Sequence, residues 1–309
     1  MTPPALDVVS LGEPLYEFSQ IPGDPGRYLQ GFGGDTMNCV IAAARLGART
    51  AYVTRVGDDE FGRQFLKLWR EEGIDTRGVA TDPQAHTAVY FITHGPSGHV
   101  FSYLRRGSAA SLMQARDLPL DLIRGTRFFH ASGISQAISA GAAEAVQAAV
   151  GAAKQAGARF VYDANLRLRL WPLALARETV TGTLARSDFF LLSLEDAQAL
   201  CGLQEPDAVL DWCHGAGAPV VVLKLGAEGV AASDGARRGR VPGYRVESVD
   251  ATGAGDCFAG ALMARMAAGD DFWEALRHAN AAAALATTGY GAVTPLPRPG
   301  AVHALLDRG

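Results

Sequence analysis

The run Asp250-Ala-Thr-Gly-Ala-Gly-Asp256, continuing into Cys257-Phe-Ala-Gly-Ala-Leu262, gathers residue types that can do chemistry. Small residues from Thr252 to Gly255 form a turn that leads into an apolar, alanine-rich run of helical character. Such a turn presents free backbone N–H groups at the positive end of a helix, where phosphate oxygens are held well. Gly253 and Gly255 let a ligand approach the backbone closely. Asp256 falls in the first helical turn, beside the same N–H groups. A carboxylate next to an anion hole can take a proton from a hydroxyl while the hole steadies a transferring phosphoryl group. The same residues also describe an ordinary capped helix start.

Other polar groups recur at strand ends. Gly33-Gly34-Asp35 with Asn38 places two glycines and two polar side chains at a helix start, to hold sugar hydroxyls or to cap the helix. In Asp163-Ala-Asn-Leu-Arg167, three polar residues alternate after an apolar strand, which on an extended chain sets them on one side. Arg167 can bind a carboxylate or phosphate bidentately. Tyr103 and Arg105 alternate along one strand, with Tyr90 on its partner. They close over a substrate, or they are ordinary exposed strand side chains. Lys224-Leu-Gly-Ala-Glu-Gly229 follows a buried strand and wraps a nucleotide or forms a plain hairpin, with Gly226, Glu228 and Gly229 at the turn. Ser193-Leu-Glu-Asp196 offers carboxylates for a divalent cation, or a solvated helix start.

The elements that must position these groups alternate. Strands are expected at Asp7–Leu11, Ala51–Val56, Phe128–Ala131, Phe160–Asp163, Phe189–Ser193 and Val220–Leu225. Helices are expected at Cys39–Leu46, Asp58–Glu72 and Ala140–Ala156, and from Glu195, Asp207, Gly255 and Phe272. Val230–Ala232 and Val241–Val246 read as a late antiparallel pair. This is an α/β pattern, a mainly parallel sheet with helices on both faces and ligands beyond the carboxyl ends of the strands. Two runs interrupt it. Pro14–Phe32 has no helical period, and His86–Thr93 with Val100–Arg105 reads as a hairpin around His94-Gly-Pro-Ser-Gly98, so a small separate sheet is expected.

The 309 residues, 48% hydrophobic and 19% charged, have a globular composition. The net charge of −4, with scattered arginines, disfavours a nucleic-acid binder. Four cysteines without C-x-x-C spacing and seven unclustered histidines argue for reduced buried thiols and against a histidine or cysteine metal centre. No run is long and apolar enough for a bilayer span, and no signal peptide is evident at Met1–Asp7, so a cytoplasmic location is expected. G-x-x-x-x-G-K-[ST] is absent, and no G-x-G-x-x-G follows the first strand.

Taken together, the Gly33-Gly34 segment with Asn38 and Leu46-Gly47, and then Asp250–Asp256, resemble the two signature regions of the ribokinase-like (PfkB) carbohydrate kinases over nearly the whole chain. Within that family the chain is most similar to 2-keto-3-deoxygluconate kinases, through Gly31–Asn38, Tyr103–Arg105, Ser132–Ile134, Asp163–Arg167 with Leu170-Trp171, and Gly289–Val293. The resemblance implies a three-layer α/β domain of residues 1–11, 35–85 and 108–309, with a β lid of residues 12–34 and 86–107. It implies ATP and Mg2+, with Asp256 as base and Gly253, Ala254 and Gly255 as anion hole. Gly34, Asp35, Asn38, Tyr90, Tyr103, Arg105 and Arg167 would contact a sugar acid. Asn165, Ser193, Lys224, Gly226, Glu228, Gly229 and Asn280 would lie near ATP. The family's magnesium-linked N-x-x-E appears here as Ser193-x-x-Asp196, which puts Asp196 near the metal. Homo-oligomerisation through the lid is also implied. Fructokinases share the framework, and a non-catalytic sugar or nucleotide sensor is the reading from another class. Two arginines, Arg105 and Arg167, suit a carboxylate better than a neutral sugar.

Overall fold

The computed structural model describes residues 5–21, 23–95 and 98–308. The start of the N-terminal segment and Pro96 and Ser97, within the expected His94–Gly98 connection, lie outside the described residues. Thirteen strands run in chain order: β1 Leu6–Leu11, β2 Leu15–Ile21, β3 Asp24–Gly33, β4 Thr50–Gly57, β5 Val79–Asp82, β6 Val89–Gly95, β7 Gly98–Leu104, β8 Thr126–Ser132, β9 Arg159–Asp163, β10 Phe189–Ser193, β11 Val220–Lys224, β12 Gly229–Ser233 and β13 Arg238–Pro242. The helices are α1 Asp35–Arg45, α2 Glu60–Glu71, α3 Leu120–Arg124, α4 Gly133–Ala137, α5 Ala140–Gln155, α6 Leu173–Leu184, α7 Leu194–Cys201, α8 Pro206–Gly215, α9 Ala254–Ala268, α10 Phe272–Ala286 and α11 Pro299–Leu306.

Nine strands form one sheet in the order β13-β12-β11-β10-β9-β8-β1-β4-β5. Pairing is parallel from β5 to β11, and β12 and β13 join antiparallel. Side chains alternate across the sheet. Val8, Phe128, Val161, Leu191 and Val222 face a core shared with α1, α2, α9 and α10. Val9, Phe129, Phe160, Phe190 and Val221 face the core of α5, α6 and α8. Strands buried on both faces read as continuous apolar runs, as they do here. The four remaining strands make a second sheet, the lid, in the order β3-β2-β6-β7. Its central pair, β2 and β6, is parallel, and two antiparallel hairpins flank it.

Several boundaries depart from the sequence reading. α1 begins at Asp35 rather than Cys39, because Thr36 and Asn38 are polar yet buried. The last antiparallel strand stops at Pro242 instead of reaching Val246, where proline offers no ladder N–H. β5, α3, α4, α6 and α11 carried no readable pattern. β5 is a four-residue edge strand with two exposed positions, and α6 is diluted by Thr, Val and Gly182.

Candidate active site

The carboxyl ends of β1, β8, β9, β10 and β11 lie side by side, and the N-termini of α1 and α9 come down over them. Asn38 on α1 donates from Nδ2 to Asp256 Oδ2 on α9 at 2.8 Å. The residue before α9, Gly253, has φ 78° and carries no side chain that could cap the helix. The first amides of a helix have no acceptor within it. Those of Gly255 and Asp256 therefore face outward beside the Asp256 carboxylate, and the helix dipole adds to their pull on an anion.

Lys224, the last residue of β11, donates to Asp163 Oδ2 at the end of β9 at 2.6 Å. A Cβ on Gly255 would stand only 3.2 Å from Lys224 Nζ, so glycine at 255 is what lets the ammonium lie against the helix start. Burial works against the ammonium, yet Asp163, Asp196 and Asp256 together hold its pKa above the ordinary value. A fixed positive charge over open amides is an arrangement, built from two elements, that can attract an anion.

Burial, followed by the nearby Asp35 charge, pushes the Asp256 pKa up to about 8, against the Asn38 hydrogen bond and Lys224. A base near the working pH can both exist ionised and accept a proton with useful driving force. Asp35 is itself tied to Asn165, whose Nδ2 donates to Asp35 Oδ2 at 2.9 Å.

The segment after β9 does not stay extended. Asn165 takes a left-handed φ of 33°, and its amide donates to Asp163 Oδ1 at 3.2 Å. The three polar residues therefore diverge rather than share one side: Asp163 meets Lys224, Asn165 meets Asp35, and Arg167 is exposed and donates to its neighbour's carbonyl, Leu166 O. Asp196, expected beside a metal, has both carboxylate oxygens engaged by main-chain amides. Oδ2 accepts from Ser193 at 3.0 Å and Oδ1 from Leu166 at 3.0 Å. Ser193 Oγ in turn accepts from the Asp196 amide. Burial raises the Asp196 pKa against these amides. Glu195 is exposed.

Among the described residues no group of three or more His, Cys, Asp or Glu side chains is placed to hold a metal ion.

The nucleotide-side expectations are distributed differently. Gly226 and Glu228 form a single 3₁₀ turn after β11, and Gly229 starts β12. Glu228 is exposed. Asn280 is buried, and its Nδ2 donates to Val241 O and Pro242 O, tying α10 to the end of β13.

The lid supplies Tyr90 and Tyr103, stacked with ring centroids 5.7 Å apart. Tyr90 is buried and its hydroxyl donates to Glu17 Oε2 on β2, while Tyr103 is exposed. Arg105 lies 5.5 Å from the Tyr103 ring centre. Its guanidinium is not a free charge, since Nη2 donates to Glu13 Oε2. Glu13 and Glu17 were not singled out in the sequence. Glu13 is hidden in a Gly-Glu-Pro turn, and Glu17 in a segment without period. The partner of Lys224 was equally illegible, since 61 residues separate it from Asp163.

A family model for the pfkB family carbohydrate kinases matches residues 5–299. The chain belongs to the pfkB family of carbohydrate kinases. It is 36% identical to the 2-dehydro-3-deoxygluconokinase of Thermoproteus tenax, over 97% of this chain and 94% of the relative. It is 34% identical to fructokinase-2 of Zea mays, again over 97% and 94%. A solved structure described as a putative ribokinase II from E. coli, in complex with ATP and magnesium, superposes with a TM-score of 0.90 at 27% identity, covering 98% of this chain and 99% of that one. The ribokinase-like α/β fold with its small lid sheet is thus the family's architecture. The expectation of a PfkB sugar kinase holds, and the members it resembles divide between sugar-acid and neutral-sugar kinases. Among the described residues no helix is long and apolar enough to cross a membrane.

Proposed function

We propose that the protein transfers the γ-phosphoryl group of ATP to the primary hydroxyl of 2-keto-3-deoxygluconate, giving the 6-phosphate. The observation that carries the reaction is the start of α9, where an ionisable carboxylate, uncapped amides and the Lys224 ammonium converge. Asp256 accepts the hydroxyl proton as the oxygen bonds to the γ-phosphorus and the bond to the β,γ-bridging oxygen breaks. The amides of the Gly253–Gly255 turn and Lys224 meet the charge that builds on the phosphoryl oxygens and on ADP. Magnesium, when bound with the nucleotide, offsets phosphate charge. Asp35 and Asn38 orient the acceptor and Asp256, and the lid carrying Tyr90 and Tyr103 excludes water that would compete as acceptor. Asn165, Ser193, Gly226, Glu228 and Gly229 border the nucleotide. Residues 12–34 and 86–107 act as the lid domain, and its exposed Leu29, Val100 and Leu104 favour a dimer through the lid.

The exposed Arg167 guanidinium, two residues beyond the Asp35-bound Asn165, favours an acid, as does the 36% identical sugar-acid kinase. The Glu13–Arg105 pair favours the second reading, a neutral keto-sugar such as fructose, because it leaves Arg167 alone of the two arginines without a carboxylate partner. A sensor without catalysis has no use for Asp256. An ADP-coupled assay with 2-keto-3-deoxygluconate, 2-keto-3-deoxygalactonate, fructose and ribose tests this. Rapid turnover of a keto-deoxy acid is expected. Turnover of fructose alone overturns the acid reading, and turnover of none overturns the substrate class.

A further inference from the structure

Glu13 directly follows β1 and Gly12, at the point where the chain leaves the large sheet for the lid, and Arg105 directly follows β7, where it returns. The Glu13 side chain is 0% exposed and that of Arg105 14%. Oε2 of Glu13 accepts from Arg105 Nη2, and Oε1 accepts from Ser108 Oγ at 3.1 Å. Arg105 Nε is buried with no protein partner, a donor that a substrate oxygen would satisfy. The main chain of Glu13 is also close to the acceptor side of the site: a Cβ on Gly34 would stand 2.4 Å from Glu13 O. A carboxylate hidden this completely is costly unless it is paired and hydrogen-bonded. The buried Glu13 carboxyl therefore sits against Arg105, beside the place where an acceptor must lie.

We infer that Glu13 is a positioning and specificity-determining residue, which fixes Arg105 at the seam of lid and core and sets how much positive charge it offers to the acceptor. With Glu13 ionised, Arg105 works chiefly as an oriented hydrogen-bond donor, usable by a keto-sugar hydroxyl or by a carboxylate. Discrimination between an acid and a neutral sugar then falls to Arg167. This rests on the reading that a keto-sugar or its acid is the acceptor, and it adds to that reading a residue that touches neither.

The test is the ratio of kcat/KM for 2-keto-3-deoxygluconate to that for fructose, measured in wild type, Glu13→Gln, Arg105→Gln and the double variant. Glutamine keeps an acceptor for Arg105 but removes the charge. Glu13→Gln is expected to shift the ratio about ten-fold toward the acid, mainly through the KM of the acid. In the Arg105→Gln background Glu13 is an unbalanced negative charge, so adding Glu13→Gln is expected to restore acid turnover there. That comparison reads the same charge even when the single Glu13 variant does not fold. An unchanged ratio in both comparisons, or equal shifts for both sugars, overturns the inference. Wild-type turnover of fructose without the acid overturns the acid reading instead, and the inference is then decided by whether Glu13→Gln brings acid turnover in.

Discussion

Two helices start at the same end of the large sheet, and they are built in opposite ways. At α7 the Ser193 hydroxyl and the Asp196 carboxylate cap one another's main-chain amides, and Asp196 also holds the Leu166 amide. At α9 a glycine occupies the cap, no side chain closes it, and the Asp256 carboxylate accepts from the Asn38 side-chain amide rather than from the helix's own first amides. Both helices carry an aspartate in the first turn. One is consumed by structure and the other is left available. The contrast teaches that an acid at a helix start is read by what satisfies the neighbouring amides, not by its position alone.

The difference can be broken most severely at Asp256. Asp256→Asn is expected to lower kcat by roughly 10³-fold while sugar and nucleotide still bind, as steady-state and calorimetric titrations would measure. Gly255→Ala strikes the same helix start without touching a charge. The added methyl group displaces Lys224, and a loss of roughly ten- to hundred-fold in kcat/KM is expected from the misplaced ammonium. Activity close to wild type would mean that Lys224 serves Asp163 alone.

A third test uses pH. In the proposed mechanism Asp256 acts in its ionised form, so kcat/KM is expected to rise with pH through about 8. Asp35→Asn removes a charge that helps raise that pKa, so the rising limb should move to lower pH by roughly one unit. The linked stability has the opposite slope. A carboxyl raised from 3.8 to about 8 on folding stabilises the protein fully below 3.8, and that contribution is lost as pH rises through about 8. The neutral amide of Asp256→Asn mimics the protonated carboxyl and does not titrate. Denaturant titrations of wild type and Asp256→Asn should therefore agree at low pH and separate as pH rises toward 8, the variant becoming the more stable.

The smallest effect is expected at α7. Asp196→Ala removes a cap and the Leu166 tether, costing about 2 kcal/mol of stability with the magnesium dependence of the rate unchanged. A raised magnesium requirement would show instead that Asp196 acts near the metal, as the family resemblance implies.

The contiguous parts of the site were legible. Gly253 to Asp256 carries turn, helix start and carboxylate within one short run, and strand ends such as Ser193 and Lys224 announce themselves by closing apolar stretches. What the sequence hid was pairing across the sheet. Nothing in Asp163 points to Lys224 rather than to solvent, and an alternating Asp-x-Asn-x-Arg cannot reveal that Asn165 turns left-handed. Glu13 was hidden for the same reason, since its burial depends on where β7 returns the chain. Arg105 accordingly looked like a free charge until its partner was in place. The start of helix α1 is illegible because Thr36 and Asn38 look like loop residues, although Thr36 is buried on Tyr52 and Asn38 on Asp256.

Hydrogen exchange at the two helix starts tests the contrast most directly. Peptides covering residues 250–258 and 192–200 would be followed in the free protein and with ADP, magnesium and inorganic phosphate. The amides around Gly255 and Asp256 should exchange readily in the free protein and become protected on addition, while those around Asp196 are already protected and change little. Equal protection of both starts in the free protein, or no change at residues 250–258 on addition, would contradict the assignment of α9 as the anion site.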